Sequence, residues 1–206
     1  DNWFEEEGVR YETGGKHGFV RDVEHTLVAQ SGNEMTFRMD HEEDGVWPWA
    51  FTFRTTHKVE GKKAFTVCTA LNRSDKAMPV QFGFHPAFRC PFVEGSDVEE
   101  YAVRFESGTV IPLTRDLFDD DSIAFDDCGA WARLEHTKSG KYIQVNTAGW
   151  FTTLLWSKPG IPGFASSRGA DISATSTTCA SGRGPFSFNR GRARRGHWKW
   201  ILAIFK

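Results

Sequence analysis

Two histidines stand in turn-forming contexts where an imidazole could move a proton or bind a hydroxyl group. His17 lies between two strand-like stretches, in the sequence Gly-Lys-His-Gly-Phe-Val-Arg-Asp at 15–22. His85 follows a short strand-like stretch and precedes Pro86, which would stop a strand there. Because an imidazole titrates near neutral pH, a fixed histidine at a strand end suits general acid chemistry. The alternatives are a surface histidine at position 17 and a core histidine, bonded to a backbone carbonyl, at position 85.

Three other groups of residues carry weaker chemical signals. The aromatic segment 47–51 could stack on a sugar ring, but aromatic residues at strand spacing favour a place in the core. The acidic run 119–121 is typical of a solvated loop, or of one hydroxyl-binding carboxylate with bystanders, and offers too few ligands for a metal ion. The arginines of 183–195 show no periodic structure, which disfavours a nucleic-acid partner.

Cysteine spacing and hydropathy indicate the cellular compartment in which we expect the protein. The four cysteines are far apart and none forms a Cys-x-x-Cys pair, which disfavours a zinc site or redox motif and fits a reducing cytosol. No apolar run approaches the roughly 18 residues of a membrane-spanning helix, and no signal peptide pattern is visible. We therefore expect a cytoplasmic protein without a membrane partner. The chain opens on Asp1 rather than Met, so we also expect a missing start.

The elements that must position these residues are predicted to be β-strands. Turn-forming residues at 60–62, 72–75 and 139–141 separate segments that are short, rich in aromatic and β-branched residues, and of period two. Amphipathic helical patterns and long repeats are absent from the sequence. The pattern predicts an all-β protein, an antiparallel sandwich or barrel. The predicted strands are 34–39, 51–59, 64–71, 101–105, 142–145 and 151–156.

The charge distribution divides the chain near residue 163. The whole chain has a net charge of −2, but residues 1–162 carry −9 and residues 163–206 carry +7. From residue 163 onward, arginines stand among glycines and serines and the strand alternation stops. A strand-like pattern returns only at 198–205. This is the largest change of composition in the sequence.

Four motifs, in order over residues 1–162, together resemble the aldose 1-epimerase (galactose mutarotase-like) family. Each motif is short, but their common order makes the resemblance specific. The branch they resemble most includes bacterial hexose-6-phosphate mutarotase-like proteins. The motifs are His-Gly-Phe-Val-Arg-Asp at 17–22, Gly-Phe-His-Pro-Ala-Phe at 83–88, Pro-Leu-Thr-Arg-Asp-Leu-Phe at 112–118 with Asp121, and Leu-Trp-Ser-Lys-Pro-Gly at 155–160.

The resemblance implies an antiparallel β-supersandwich fold and the interconversion of α and β anomers of a hexose or hexose 6-phosphate, without a metal or cofactor. In the family, a glutamate removes the proton of the anomeric hydroxyl while a histidine protonates the ring oxygen, so that the ring opens and recloses. His85 matches that acid histidine, and His17 matches a second histidine that binds substrate. Asp121 matches a carboxylate that holds sugar hydroxyls. Arg21 could favour a phosphorylated sugar or form a surface ion pair.

Two departures from the family pattern matter for function. A family segment that contains an arginine in a Gly-Arg turn would precede Asp1. After residue 162 the family has a short strand, Ile-Glu-Pro-Trp, with the catalytic glutamate, whereas no glutamate follows Glu135 in this chain. We therefore expect a mutarotase-like domain over 1–162, an aberrant basic tail over 163–206 and impaired catalysis. The alternative is a non-catalytic carbohydrate-binding protein.

A shifted reading frame accounts for the tail. One permitted back-translation of residues 165–172, read from the third base of the first codon, encodes Ile-Glu-Pro-Trp-Cys-Gly-His. The same shift over 187–200 permits Phe-Gln-Pro-Gly-Thr-Ser-Glu-Thr-Trp-Ser-Leu-Glu-Val, which resembles the family's closing turn and last strand. We therefore predict that the tail from about residue 163 is the family segment read out of frame, and that 163–197 packs poorly. The alternative is a natural basic extension.

Overall fold

The described part of the chain is built almost entirely of antiparallel β-structure. It consists of fifteen strands and two 3-10 turns, Val20–Asp22 and Val98–Glu100, and the residues described contain no α-helix. This confirms the predicted all-β fold class. The computed structural model describes residues 3–6, 8–12, 18–80, 83–84, 86–118, 122–126, 128–148, 150, 152–157, 186–188 and 198–205.

The strands fall into two compact units. The first unit comprises residues 1–81 and 179–200, and the second comprises residues 82–178 and 201–206. In chain order the strands are β1 (Trp3–Glu6), β2 (Val9–Glu12), β3 (Thr26–Ser31), β4 (Glu34–His41), β5 (Phe51–Glu60), β6 (Lys63–Asn72), β7 (Met78–Val80), β8 (Tyr101–Phe105), β9 (Val110–Pro112), β10 (Ile123–Asp126), β11 (Trp131–His136), β12 (Tyr142–Asn146), β13 (Thr152–Leu155), β14 (Phe186–Phe188) and β15 (Trp198–Phe205).

The first unit is organised around an antiparallel meander of β3, β4, β5 and β6. The β5–β6 turn contains Gly61 at a φ of +56°, a conformation that glycine adopts without steric cost. Trp49 is 2% exposed and packs with other buried apolar side chains, and Trp47 packs against this cluster. The expectation that the aromatic segment belongs to the core is therefore confirmed. The buried members of the cluster are Met39, Trp49, Phe51 and Met78.

In the second unit, the strands pair in the order β9, β8, β11, β12 and β15, and β10 pairs separately with β13. Strand β11 buries every second residue, which gives it one core face and one outer face. Tyr101 is 1% exposed, and its hydroxyl accepts hydrogen bonds from the backbone N–H groups of Phe92 and Val93 at 3.1 and 2.9 Å. This buried phenol therefore holds the segment that follows Cys90 against the core.

The predicted strands coincide with β4, β5, β6, β8, β12 and β13, and the strand-like pattern at 198–205 coincides with β15. Several strands are not predicted from the sequence, among them β3, β9, β10 and β11. Strand β14 is another. It lies in the segment that was expected to lack strands, and it pairs with β7. Residues 163–185 and 189–197 lie outside the described residues, so the poor packing expected for the tail stays a prediction.

None of the three cysteines in the described part of the chain forms a disulfide with another described residue. Burial raises the pKa of Cys68 to about 11 and that of Cys90 to about 12, which makes both poor nucleophiles near neutral pH. Cys128 is buried and its Sγ donates to the Phe125 carbonyl at 3.4 Å, while Cys179 lies outside the described residues. Within the same described part, no His, Cys, Asp and Glu side chains gather into a metal-binding group. No helix found there is long and apolar enough to span a membrane.

Candidate functional site

Three of the four site residues expected from the sequence, His17, His85 and Asp121, lie outside the described residues. The structure describes residues on either side of each one, and the segment that follows each one packs against a buried core. Their roles remain predictions.

The segment that follows His17 is tied to the core of the first unit. Gly18 has a φ of +68°, and Phe19 then packs against the core, with its ring centroid 4.9 Å from that of His41 and 6.2 Å from that of Phe51. The 3-10 turn that begins at Val20 is held by a hydrogen bond of 2.8 Å between the Val20 carbonyl and Nε2 of His25. The backbone after His17 is therefore fixed by apolar packing and by a side-chain bond.

Arg21 is the one predicted site residue that the structure describes. Its Nε lies 3.3 Å from Oδ1 of Asp22, and both side chains are well exposed. An exposed ion pair of this kind contributes little to stability, about 0–1 kcal/mol. Of the two interpretations left open by the sequence, the structure contains the surface ion pair. A contact between Arg21 and a sugar phosphate remains a prediction.

The chain before and after Asp121 is anchored in the core of the second unit. Leu113 and Phe118 are 2% and 8% exposed and belong to the buried cluster of this unit. Between them, exposed polar residues form a short loop in which Thr114 Oγ1 donates to Asp116 Oδ1 at 2.6 Å, a bond that lowers the pKa of Asp116. Beyond Asp121, Ile123 pairs with the fully buried Leu155. The described residues on both sides of 119–121 are therefore anchored in this core.

His85 is also followed by anchored chain. Phe88 packs against the core cluster of the second unit, to which Cys90 belongs. Pro86 is half-buried and Ala87 is exposed. The stretch after the histidine thus reaches the core within three residues.

The structure also contains a polar cluster that was not predicted from the sequence. His136, 5% exposed, lies with Nε2 at 3.0 Å from Oε2 of Glu100 and Nδ1 at 2.7 Å from Oγ of Ser139. Lys138 Nζ lies 2.9 Å from the other oxygen of Glu100. The hydrogen bonds from His136 and Lys138 lower the pKa of Glu100. No local sequence signal marked this cluster, because the core face of β11 that carries His136 is seen only in the burial pattern of the strand.

The depressed pKa of Glu100 predicts a pH dependence of stability. Because the carboxylate is favoured in the folded state, its contribution to stability is present above the unfolded pKa of about 4.3 and is lost as pH falls through the folded pKa. We expect Glu100→Gln to lower the free energy of unfolding at pH 7, and the difference from the unaltered chain to shrink at pH 3. Urea unfolding at the two pH values measures this.

Glu94→Gln is the matched control, since Glu94 is exposed and has no partner among the residues that the structure describes. Its effect should be small at both pH values. If Glu100→Gln and Glu94→Gln showed the same pH dependence, Glu100 would not be a source of acid sensitivity.

Comparison with known proteins decides the family. The model of the family described as aldose 1-epimerase matches residues 2–123, more than half of the chain. The chain belongs to the aldose 1-epimerase family. Two curated relatives, the plasmid and chromosomal forms of protein LacX from Lactococcus lactis subsp. lactis, are each 29% identical over 173 residues. Each alignment covers 69% of this chain and 58% of the relative, so the chain spans less than two thirds of the curated relatives' length.

Solved structures share the fold of this family member. A galactose mutarotase related enzyme from Lactobacillus acidophilus aligns with a TM-score of 0.82 and 18% identity, covering 100% of this chain and 78% of that one. A galactose mutarotase-like protein from Lactobacillus casei ATCC 334 aligns with a TM-score of 0.73 and 17% identity, covering 99% and 80%. A galactose mutarotase-like protein from Clostridium acetobutylicum has a TM-score of 0.69 and 13% identity, covering 99% and 75%. The expected galactose mutarotase-like fold is confirmed.

Proposed function

We propose that this chain is a mutarotase-type protein that binds a hexose or hexose 6-phosphate in the cytoplasm and interconverts its anomers slowly. The observation that carries the proposal is the family match over residues 2–123, which contains the two histidine motifs and Asp121. The relatives named above include proteins described as galactose mutarotase-like, which supports a hexose as the substrate class.

The proposed chemistry is ring opening by acid–base catalysis. His85 protonates the ring oxygen as the proton leaves the anomeric hydroxyl, so the bond between the anomeric carbon and the ring oxygen breaks and an aldehyde forms. Rotation about the neighbouring carbon–carbon bond and reclosure then give the other anomer. His17 and Asp121 bind sugar hydroxyls, since an imidazole and a carboxylate both accept hydrogen bonds. In a phosphorylated substrate, Arg21 would supply a cation to the phosphate.

The proposed activity is slow because the second half of the acid–base pair is missing. The family's base is a glutamate beyond residue 162, and the sequence contains no glutamate after Glu135. A positioned acid or base contributes about 10²- to 10⁴-fold to a rate. Without this glutamate, water must accept the proton of the anomeric hydroxyl.

The same missing residue favours a second candidate, a carbohydrate-binding protein without catalysis. Residues that bind hydroxyls are retained at positions 17 and 121, while the base is lost. The two candidates differ in one measurable property, which is whether bound sugar equilibrates faster than free sugar.

Mutarotation and binding measured on the same samples test the proposal. Freshly dissolved α-glucose, α-galactose and the two 6-phosphates are followed by polarimetry, and binding is followed by ligand-observed NMR. We expect saturable binding with a rate only slightly above the buffer rate. Binding with an unchanged rate would favour the carbohydrate-binding protein, and the absence of binding to all four sugars would overturn both candidates.

Asp121→Asn and Asp120→Asn form a matched pair for this assay, because the sequence assigns the first to substrate and the second to the bystanders. We expect Asp121→Asn to weaken sugar binding by about tenfold or more, the scale of hydrogen bonds to charged groups. Equal effects of the two substitutions would contradict the role of Asp121.

A further inference from the structure

Arg133, in the middle of β11, has an unusually fixed guanidinium group. Its Cζ lies 4.2 Å from the centroid of the Trp131 ring and 4.4 Å from that of the Tyr142 ring. Its Nε donates a hydrogen bond of 2.6 Å to Oε1 of Gln144. Ala132 and Leu134, on either side of it in sequence, are buried in the core, so the Arg133 side chain stands on the opposite face of β11.

The strand register explains how the two rings approach this group. Arg133 lies opposite Gln144, while Trp131 precedes it by two residues on the same face of β11. Tyr142 lies opposite Glu135, which is two residues further along β11. The rings therefore approach the guanidinium from opposite directions along the strand. Contacts of this kind hold the guanidinium group in place. The Arg133 side chain therefore loses less conformational entropy when a ligand binds.

Much of the hydrogen-bonding capacity of Arg133 is left over. A guanidinium carries five N–H donors, and the bond to Gln144 uses the single one on Nε. Among the described residues, neither Nη nitrogen of Arg133 has a hydrogen-bonding partner. These two nitrogens carry four donors in a planar fork that matches two oxygens of a carboxylate or a phosphate.

A second arginine raises the positive charge at this position. Arg104 of β8 lies directly opposite Arg133, so the two side chains share one face of neighbouring strands. Arg104 is paired with Glu135, its Nε lying 3.2 Å from Oε2. Like charges directly opposite each other on a sheet are destabilising, and one carboxylate balances only one of the two cations. An anion bound at Arg133 would balance the other.

We propose that Arg133, clamped by Trp131 and Tyr142 and flanked by Arg104, is a binding site for the oxyanion group of a small molecule, a carboxylate or a phosphate. The clamp holds the fork ready, and the pair of arginines supplies the charge. The site uses none of the residues assigned to mutarotation, so it stands or falls independently of that function. A carboxylate and a phosphate can each present two oxygens to the fork. The experiment therefore compares the binding of the two anions.

Titration of the unaltered chain with sodium phosphate and with sodium acetate, at constant ionic strength set by sodium chloride, tests the site. The readout is the ¹H–¹⁵N resonance of the Arg133 Nε–H group, assigned by its loss in Arg133→Lys. We expect a saturable shift with at least one anion, and the tighter of the two identifies the ligand group. Uncharged glucose, added at the same concentrations, should leave the resonance unmoved.

Variants followed by calorimetric titration separate a binding site from surface packing. We expect Arg133→Gln to weaken anion binding by about tenfold to a hundredfold, the scale of charge-assisted hydrogen bonds. Arg133→Lys should retain part of the affinity, because it keeps the charge but loses the fork. Trp131→Leu should also weaken binding, because the guanidinium loses half of its clamp.

Arg54→Gln in β5 is the control for loss of one surface charge. Arg54 is exposed and is likewise without a partner in the described structure, but it has no aromatic clamp. We expect this variant to bind anions as the unaltered chain does. The proposal is overturned if neither anion gives a saturable shift, or if a folded Arg133→Gln or Arg133→Lys variant binds with undiminished affinity.

Discussion

Expression of this chain with its tail read in the shifted frame should raise its hexose mutarotase rate on the order of 10²- to 10⁴-fold, the contribution of a positioned acid–base group. In the shifted frame, residues 165–172 give way to Ile-Glu-Pro-Trp-Cys-Gly-His, which supplies the glutamate that the family uses as its base. The coding DNA across positions 155–206 defines the sequence to be expressed, and polarimetry with the four sugars measures the rate.

The control for this prediction is the reframed chain with its restored glutamate replaced by glutamine. Its rate should fall back towards that of the 206-residue chain, since glutamine keeps the size of the side chain but accepts no proton. Two results would contradict the frame-shift interpretation. One is an uninterrupted reading frame whose codons cannot encode Ile-Glu-Pro-Trp, and the other is full mutarotase turnover by the present chain.

Leu155→Ala should lower the free energy of unfolding by about 2–5 kcal/mol, as expected when a buried leucine is replaced and its cavity is not filled. Leu155 is fully buried in the core of the second unit and lies in β13 opposite Ile123. The residual cavity would lie beside β10, the strand that follows Asp121 in sequence. We therefore expect weaker sugar binding as well as lower stability, measured by urea unfolding and by ligand-observed NMR.

Leu71→Ala provides the matched control, because Leu71 is 41% exposed on β6 and undergoes the same chemical change. Its effect on stability should be less than about 1 kcal/mol, as is usual for surface substitutions. Similar losses in the two variants would mean that the core of the second unit is packed less tightly than the structure indicates.

The elements that the sequence predicted correctly are rich in aromatic and β-branched residues and are bounded by turn-forming residues. Strands β5 and β6 are ten residues each, and a turn with a glycine of positive φ joins them. In such strands, apolar residues recur every second position because one face packs on the core and the other meets water. Periodicity within a short window was enough to locate them.

The elements that were missed lack that local signal. All six residues of β3 are exposed, so its sequence carries no alternation, and only its pairing with β4 makes it a strand. In β11 the periodicity is obscured because Trp131 stands on the outer face and His136 on the core face. The residue types therefore contradict the burial pattern that the sheet imposes on them.

The functional residues likewise divide into those that a local sequence signal marks and those that it does not. The motifs by themselves predicted the family, which the comparisons confirm, because each motif is contiguous in sequence. The roles that they assign to His17, His85, Asp121 and Arg21 stay predictions. The positions of their side chains depend on the tertiary structure. In that structure Arg21 forms an ion pair with Asp22.

The sequence by itself thus predicted the fold class and the family. It also shows that residues 136–206 contain no glutamate. Only the tertiary structure brought His136 to Glu100, 36 residues away, and Arg133 to Gln144, 11 residues away. The physical reason is that strand pairing joins residues far apart in the chain, and the register decides which of them share a face. No local pattern encodes the contacts that cluster charges on a sheet.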